Sequence, residues 1–298
     1  MSGPRGNHEA RCGAAPFAPR MGTVTSGTTI IRYEDGQPLP PRPDELAIEE
    51  PLEICVEGQP VAVAMRTPGH DRELAAGWLI SEGIIRRADD IVEIVARPGE
   101  DPTRGAMVDV MLRDPGGFDV AKHRRNVLTN ASCGLCGAAS IAQVLREFPK
   151  IESSLRINAG ILHGLPAALQ GNQPAFQRTG GIHACALFDA TGALIALRED
   201  VGRHNALDKL TGWALLEHRL PLTESILLLS GRVSFEMIQK AVAAGIPVVA
   251  AIGAPSSLAV ELARGCGISL VAFLREHTFN VYCGAARLGK IHHGAGRT

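Results

Sequence analysis

The second half of the chain alternates short apolar runs with segments of helical spacing. Ile226–Leu229 is an unbroken apolar run, and residues 248–252 form another. Such runs predict strands buried on both faces, which occur where helices cover both sides of a sheet. We therefore predict an α/β sandwich with a partly parallel sheet. The predicted elements, in chain order, are a hairpin of strands 184–188 and 193–197, helix 206–217, strand 225–229, helix 235–244, strand 246–252, helix 257–264 and strand 268–274.

The first half has a different pattern. Residues 1–27 are rich in Gly, Ala, Pro and Arg and have no apolar periodicity, which predicts a disordered tail. Residues 28–150 predict an α+β subdomain, and residues 151–298 the α/β core. Asp71 is placed to cap the helix of the subdomain. The predicted elements of the subdomain are strands 28–33, 46–56, 60–65, 91–96 and 107–112 and helix 71–84.

Charge and hydropathy exclude several classes of function. The chain has 298 residues, with 30 basic and 31 acidic side chains and a net charge of −1. That balance gives no reason to expect nucleic acid or an anionic membrane as a partner. No apolar stretch approaches the length of a membrane span or signal peptide, so we expect a cytoplasmic protein. Seven cysteines, an odd number, suit a reducing compartment.

Polar loops follow four of the predicted strands. They cover residues 199–205, 230–234, 253–257 and 275–278. In an open α/β sheet such loops meet at one edge, where ligands bind. The arginines and the helix starts in these loops suit phosphate groups, although single serines there can be simple helix caps and the arginines solvated termini. The candidate binding residues are Arg203, His204, Arg232, Ser256 and Arg275.

Two histidines near these loops differ in their expected roles. His204 lies between Arg203 and Asn205 at a predicted strand-to-helix turn, which favours ligand contact or proton transfer. His183 precedes a predicted strand and is better explained as a histidine of the core.

A pair of cysteines two residues apart carries the most reactive chemistry. Cys133 and Cys136 are flanked by glycines and precede a predicted helix at 138–148. A helix N-terminus stabilises a thiolate, so these thiols are candidate nucleophiles. Three interpretations fit the pair: a zinc site completed by His183 and Cys185, a thioredoxin-like dithiol, or a sulfur carrier that holds a persulfide. The spacing alone does not choose among them.

Six ordered motifs together resemble one known family. Between about residues 28 and 282 the chain is similar to the formate dehydrogenase accessory sulfurtransferases, the FdhD family. The cysteine pair alone would be a weak signal, whereas six motifs in order are specific. The motifs are residues 132–137, 179–183, 199–209, 230–237, 254–262 and 273–282.

The resemblance implies a cytidine-deaminase-like α/β sandwich core with the N-terminal α+β subdomain, and a homodimer. It implies a carrier that accepts sulfur from a cysteine desulfurase as a persulfide. The sulfur then goes to the molybdenum bis(molybdopterin guanine dinucleotide) cofactor before that cofactor enters formate dehydrogenase. Cys133 would hold the persulfide, with Cys136 as its accessory thiol, and no metal ion would be resident. The cofactor-binding segment implied by the family, a site that a GDP-like nucleotide would also occupy, is Phe273, Leu274, Arg275, Glu276, His277 and Thr278.

Two other functions are compatible with parts of this pattern. A chaperone that binds the molybdenum cofactor without sulfur chemistry would keep the polar loops but would need no cysteine pair. A zinc-dependent nucleoside deaminase would share the expected fold. Against deaminase chemistry, the cysteine pair precedes His183 and Cys185 in the chain and lacks the proline and glutamate of the deaminase motif.

Overall fold

The computed structural model describes residues 23–98, 105–118 and 149–289. These residues form a mixed α/β fold. The strands are β1 (Thr25–Ile30), β2 (Tyr33–Glu34), β3 (Gln37–Pro38), β4 (Arg42–Ala47), β5 (Glu50–Val56), β6 (Gln59–Arg66), β7 (Ile91–Arg97), β8 (Ala106–Leu112), β9 (Ile157–Asn158), β10 (His183–Phe188), β11 (Leu194–Asp200), β12 (Ile226–Leu229), β13 (Val248–Ala251), β14 (Ser269–Ala272), β15 (Asn280–Cys283) and β16 (Leu288–Gly289). The α-helices are α1 (Asp71–Glu82), α2 (Leu165–Gly171), α3 (Pro174–Thr179), α4 (Arg203–Leu216), α5 (Phe235–Ala243) and α6 (Ser257–Gly265).

The largest sheet in the described part of the chain has six strands in the order β11-β10-β12-β13-β14-β15. β12, β13 and β14 run parallel. β10 is antiparallel to both of its neighbours, and β15 is antiparallel to β14. The predictions of a partly parallel sheet and of a hairpin before it are therefore confirmed.

Helices and loops cover both faces of this sheet. Leu227 and Leu229 point to one face, where they pack with α4, α5 and α6. Ile226 and Leu228 point to the other face, where they pack with α2 and the segment before it. Successive residues of a strand face opposite sides, so an unbroken apolar run is buried only in such a sandwich.

A smaller sheet with the order β6-β5-β8-β7 packs against α1 within residues 23–118. Leu52 and Ile54 of β5, Val110 of β8 and Leu74 and Leu79 of α1 are fully or almost fully buried in this second core. The predicted strands and helix of the N-terminal half are thus present. The strand expected at 46–56 is divided into β4 and β5.

Helix α1 also crosses α4 at very short range, and two glycines make this approach sterically feasible. A Cβ atom on Gly77 would lie 1.8 Å from the carbonyl oxygen of Asp208, and one on Gly212 would lie 1.8 Å from that of Glu73. The Asp208 carboxylate is buried nearby and accepts hydrogen bonds of 2.7 Å from Ser81 Oγ and Lys240 Nζ. The crossing therefore joins α1 to α4 through backbone contact and the Ser81–Asp208 hydrogen bond, and the Lys240–Asp208 ion pair links α4 to α5 beside it.

Three predictions about local structure need correction. β1 begins at Thr25, inside the segment that we assigned to the tail. Asp71 is not the N-cap of α1, because His70 occupies that position in the left-handed region with φ 59°. The Asp71 carboxylate instead accepts hydrogen bonds of 2.9 and 3.0 Å from Arg66. Helices α2 and α3 were not predicted, because each is short and prolines interrupt the sequence around them.

Candidate functional site

The strands of the large sheet end together at one edge. β11, β12, β13 and β14 all point their carboxyl ends the same way, since β10 is antiparallel to both β11 and β12. The prediction that four polar loops meet at this edge is therefore confirmed. His183 reaches the same edge from the opposite direction, because it begins β10 and pairs with Asp200 at the end of β11.

Two of the loops run side by side beyond the sheet. Gly253 N donates a hydrogen bond of 3.1 Å to Gly231 O, and Ser256 N donates one of 2.9 Å to Val233 O. A Cβ atom on Gly253 would lie 2.7 Å from Gly231 O, so a larger residue does not fit between the loops. The glycines at these positions therefore set how closely the loops approach.

A cavity of about 610 Å³ opens at this edge. Its volume falls within the range of roughly 300–1,000 Å³ that is common for small-molecule sites. One wall comes from α2, α3 and the glycines that follow them, and the other from the loops after β12, β13 and β14. The lining residues are Pro166, Leu169, Gln170, Gln173, Phe176, Gly180, Gly181, Ile182, His183, Ser230, Ile252, Leu274, Arg275 and Glu276.

The middle residues of the segment that the family resemblance assigned to cofactor binding line this cavity. Leu274, Arg275 and Glu276 line the wall. Hydrogen bonds hold both the side chain and the backbone of Arg275. Its Nη1 atom donates bonds of 2.8 Å to Ile252 O and Leu274 O, and its backbone N donates one to Thr278 O. An exposed guanidinium held in this way provides a positive charge at the mouth of the cavity. The flanking residues Phe273 and His277 are exposed but do not line it.

Phe273 has an unusual backbone. Its φ is 52°, in the left-handed region that non-glycine residues rarely adopt, and its side chain is 42% exposed. The residue before the cavity wall thus turns the chain sharply out of β14 while its ring faces solvent. Leu274, the next residue, returns to the interior and is fully buried.

The other predicted binding residues lie near the edge but outside the cavity wall. His204 is buried, and its Nε2 atom lies 2.8 Å from Glu236 Oε2 and 3.5 Å from Ser234 Oγ. Ser256 Oγ accepts a hydrogen bond from Ala259 N and caps α6, which was the alternative explanation for this serine. Arg232 is exposed on its loop, and Arg203 is half-buried at the start of α4.

His183, which we interpreted as a core histidine, is part of the cavity wall. It is half-buried, and burial, with help from the charges of Arg203 and His204, lowers the pKa of its imidazole. A lowered pKa favours the neutral ring near pH 7, which can both donate and accept a hydrogen bond. Sequence reasoning missed His183 because it did not show that β10 runs antiparallel to its neighbours, which brings the first residue of β10 to the edge where the other strands end. Beside it, Ser230 Oγ accepts a hydrogen bond of 2.9 Å from Ala184 N.

A buried carboxylate holds the loop after β11 in place. Asp200 is fully buried and lies 2.7 Å from Lys209 Nζ. It also accepts hydrogen bonds from the backbone N atoms of Gly202 and Thr67, at 2.8 and 3.1 Å. The last of these links comes from the segment between β6 and α1, so residues distant in sequence fix the position at which α4 begins.

Cys133, Cys136 and the helix expected after them lie outside the described residues. The thiols that the structure does describe are poorly suited to nucleophilic chemistry. Burial raises the pKa of Cys55 to about 12, and it also raises the pKa of Cys185. Among the described residues, no group of three or more His, Cys, Asp or Glu side chains is arranged to hold a metal ion. Within the same residues, no helix has the length and hydropathy needed to span a membrane.

The fold and the site define an α/β protein with a cavity at the carboxyl edge of a mixed sheet. A solved structure of a formate dehydrogenase accessory protein from Desulfotalea psychrophila has a similar fold. It aligns with a TM-score of 0.72 and 25% identity, and the alignment covers 90% of this chain and 100% of that one.

Sequence similarity then gives the family. The chain matches the FdhD/NarQ family over residues 47–289 and belongs to it. It is 46% identical to the sulfur carrier protein FdhD of Nocardia farcinica over 278 residues, 92% of this chain and 98% of the relative. It is 48% identical to that of Streptomyces coelicolor over 274 residues, 90% of this chain and 97% of the relative.

Proposed function

We propose that this chain is a sulfur carrier that serves the maturation of formate dehydrogenase. The observation that carries the proposal is its similarity, over about nine-tenths of its length, to proteins named as sulfur carriers. The similarity to a formate dehydrogenase accessory protein supports the choice of client enzyme. The cysteine pair supplies the nucleophile that such a role requires.

Sulfur enters through Cys133. The Cys133 thiolate attacks the outer sulfur of a persulfide on a cysteine desulfurase, the sulfur–sulfur bond of the donor breaks, and the donor cysteine leaves as a thiolate. The carrier then holds the outer sulfur as a persulfide until it is delivered. Cys136, two residues away, is the accessory thiol. Burial of Cys55 and Cys185 supports this assignment, because a thiol with a raised pKa is a weak nucleophile near pH 7.

The molybdenum bis(molybdopterin guanine dinucleotide) cofactor is the substrate that receives the sulfur, and one of its nucleotide ends binds in the cavity. The volume of about 610 Å³ suits one nucleotide. Arg275 faces the phosphates, while His183 and Ser230 offer neutral polar groups on the wall. Of the other predicted binding residues, Arg203 and His204 act from behind the wall by holding neighbouring loops. Arg232 and Ser256 lie further along the edge, where the rest of a dinucleotide extends.

The fold and assembly complete the proposal. The six-stranded sheet is the sandwich of the cytidine-deaminase-like class, used here for binding rather than for deamination. The protein works as a homodimer, and its partners are a cysteine desulfurase on the donor side and formate dehydrogenase on the recipient side.

The test is restoration of formate dehydrogenase activity in cells that lack this chain. The Cys133→Ala variant and the variant without both cysteines are expected to restore no activity. Cys283→Ala, which removes a half-buried thiol far from the pair in sequence, is the matched control and is expected to behave as the wild type. Full activity from the variant without both cysteines would instead support a chaperone that binds the cofactor without sulfur chemistry.

A further inference from the structure

One wall of the cavity carries a buried polar side chain that the fold does not use. Gln173 is only 4% exposed and lines the cavity. Its side-chain amide has no hydrogen-bond partner among residues 23–98, 105–118 and 149–289. The amide atoms are not among the buried polar atoms that lack both a partner and contact with solvent. The amide therefore meets the space of the cavity.

An amide in a cavity wall that has no protein partner is available to a ligand. Polar groups inside a fold are almost always paired, so water or a ligand in the cavity must pair with this amide. A ligand that supplies both a donor and an acceptor would satisfy this amide. Phe176, three residues further on, lines the same cavity and is 37% exposed, so its ring is available for stacking.

The short helix α3, which follows Gln173 and carries Phe176, is held from outside the cavity. The Glu199 carboxylate accepts hydrogen bonds of 3.0 Å from Ala175 N and 2.8 Å from Phe176 N, which are free amides at the start of α3. The N-terminus of α3 is thus already occupied by a negative charge. Phosphate groups are expected at the opposite, Arg275 side of the cavity, which leaves the α3 side for an uncharged part of the ligand.

We propose that Gln173 recognises the nucleobase of the bound nucleotide, with the base stacked on Phe176 and its polar edge hydrogen-bonded to the Gln173 amide. This inference rests on the proposed function, because it assigns one end of the same site. The amide offers a donor and an acceptor side by side, which matches the O6 acceptor and the neighbouring N1–H donor of guanine. Aromatic stacking adds affinity for any base, so Phe176 supplies strength and Gln173 orients the base through its polar edge. Glu199 is a positioning residue for both.

The experiment is titration calorimetry of the purified full chain with GDP. Gln173→Leu keeps the size of the side chain and removes the amide, and it is expected to weaken GDP binding about tenfold, the order of one lost pair of base-edge hydrogen bonds. Gln37→Leu is the matched control, because it makes the same change at an exposed glutamine that does not line the cavity. It is expected to leave the affinity unchanged.

A second variant covers the case in which Gln173→Leu does not fold. Gln173→Asn keeps the polarity but draws the amide back by one methylene, and it is also expected to weaken GDP binding by several-fold. Wild-type affinity in either folded variant would overturn the inference and leave the proposed function intact. If the wild-type protein itself does not bind GDP, both the inference and the assignment of the cavity to the cofactor fail, and that result is seen before any variant is made.

Discussion

Replacing Gly77 with alanine should separate two helices that now touch through their backbones. The added Cβ atom would lie 1.8 Å from Asp208 O and 2.8 Å from Gly212 N. Both contacts are with backbone atoms of α4, so no side chain can rotate away. The helices must therefore move apart by roughly 1 Å, and the packed interface between α1 and α4 must open with them.

The size of the effect follows from two opposing contributions. Alanine is favoured over glycine inside a helix by about 1 kcal/mol. Overpacking of a well-packed interface costs typically 1–3 kcal/mol, and contact with rigid backbone places this site at about 3 kcal/mol. We therefore expect Gly77→Ala to lower the free energy of unfolding by about 2 kcal/mol. Gly212→Ala, which meets Glu73 O at 1.8 Å, should act in the same direction.

Urea unfolding followed by tryptophan fluorescence measures this directly. The chain has two tryptophans, and they report on the two crossing helices, since Trp78 lies on α1 and Trp213 on α4. Gly265→Ala is the matched control, because nothing lies within 4 Å of its added Cβ atom at the end of α6. The control should be neutral or slightly stabilising. A Gly77→Ala variant that unfolds at the same urea concentration as the wild type would show that the crossing is not as close as described.

Three further outcomes follow from charged side chains. Lys240→Met should lower the free energy of unfolding by about 3–5 kcal/mol, because it leaves the buried Asp208 carboxylate without its cation, and Asp208→Asn in the same chain should recover much of that loss in urea unfolding. Burial alone would raise the pKa of Glu73, but hydrogen bonds, chiefly from Arg198, outweigh it and lower the pKa from 4.5 to about 2. The Glu73 contribution to stability should thus be complete above about pH 4.5 and disappear as the pH falls towards 2, and Glu73→Gln should remove that part of the pH dependence in thermal unfolding curves. Arg275→Ala should weaken GDP binding roughly tenfold or more in calorimetry with little change in melting temperature, and an unchanged affinity would count against its phosphate contact.

The sequence predicts the central sheet well because its strands have no polar face. Ile226–Leu229 and Val248–Ala251 are apolar at every position, and the loops between them carry glycines and serines that end strands and begin helices. The residues at which these strands end can therefore be predicted from the sequence. The shared edge for the four polar loops follows in turn from the right-handed, parallel connections that such alternation favours.

The parts that were missed depend on contacts between distant residues. His70 rather than Asp71 occupies the N-cap position of α1, and Arg66 pairs with the Asp71 carboxylate across the loop between them. Gly77 and Gly212 are unremarkable in sequence, and only the crossing of two helices gives them a role. Gln173 has no pattern around it, and it becomes a candidate because the fold buries its amide at a cavity wall.

The candidate site also has residues that sequence predicts correctly and residues whose role depends on tertiary packing. Arg275 was predicted from a strand-end motif and does line the cavity, since a strand end fixes where the next residue lies. His204 was predicted by the same reasoning, yet its imidazole points to Glu236, because side-chain direction depends on the packing of α4 against α5. Sequence therefore identifies the edge of the sheet at which the cavity opens, whereas tertiary packing decides which side chains line it.

Mass spectrometry of the intact chain after incubation with a cysteine desulfurase and cysteine tests the sulfur-carrier role most directly. The account predicts one additional sulfur atom per chain, located on Cys133, sensitive to a reducing agent and absent from the Cys133→Ala variant. A wild-type chain that gains no sulfur, or a Cys133→Ala variant that still gains it while Cys136→Ala does not, would contradict the account.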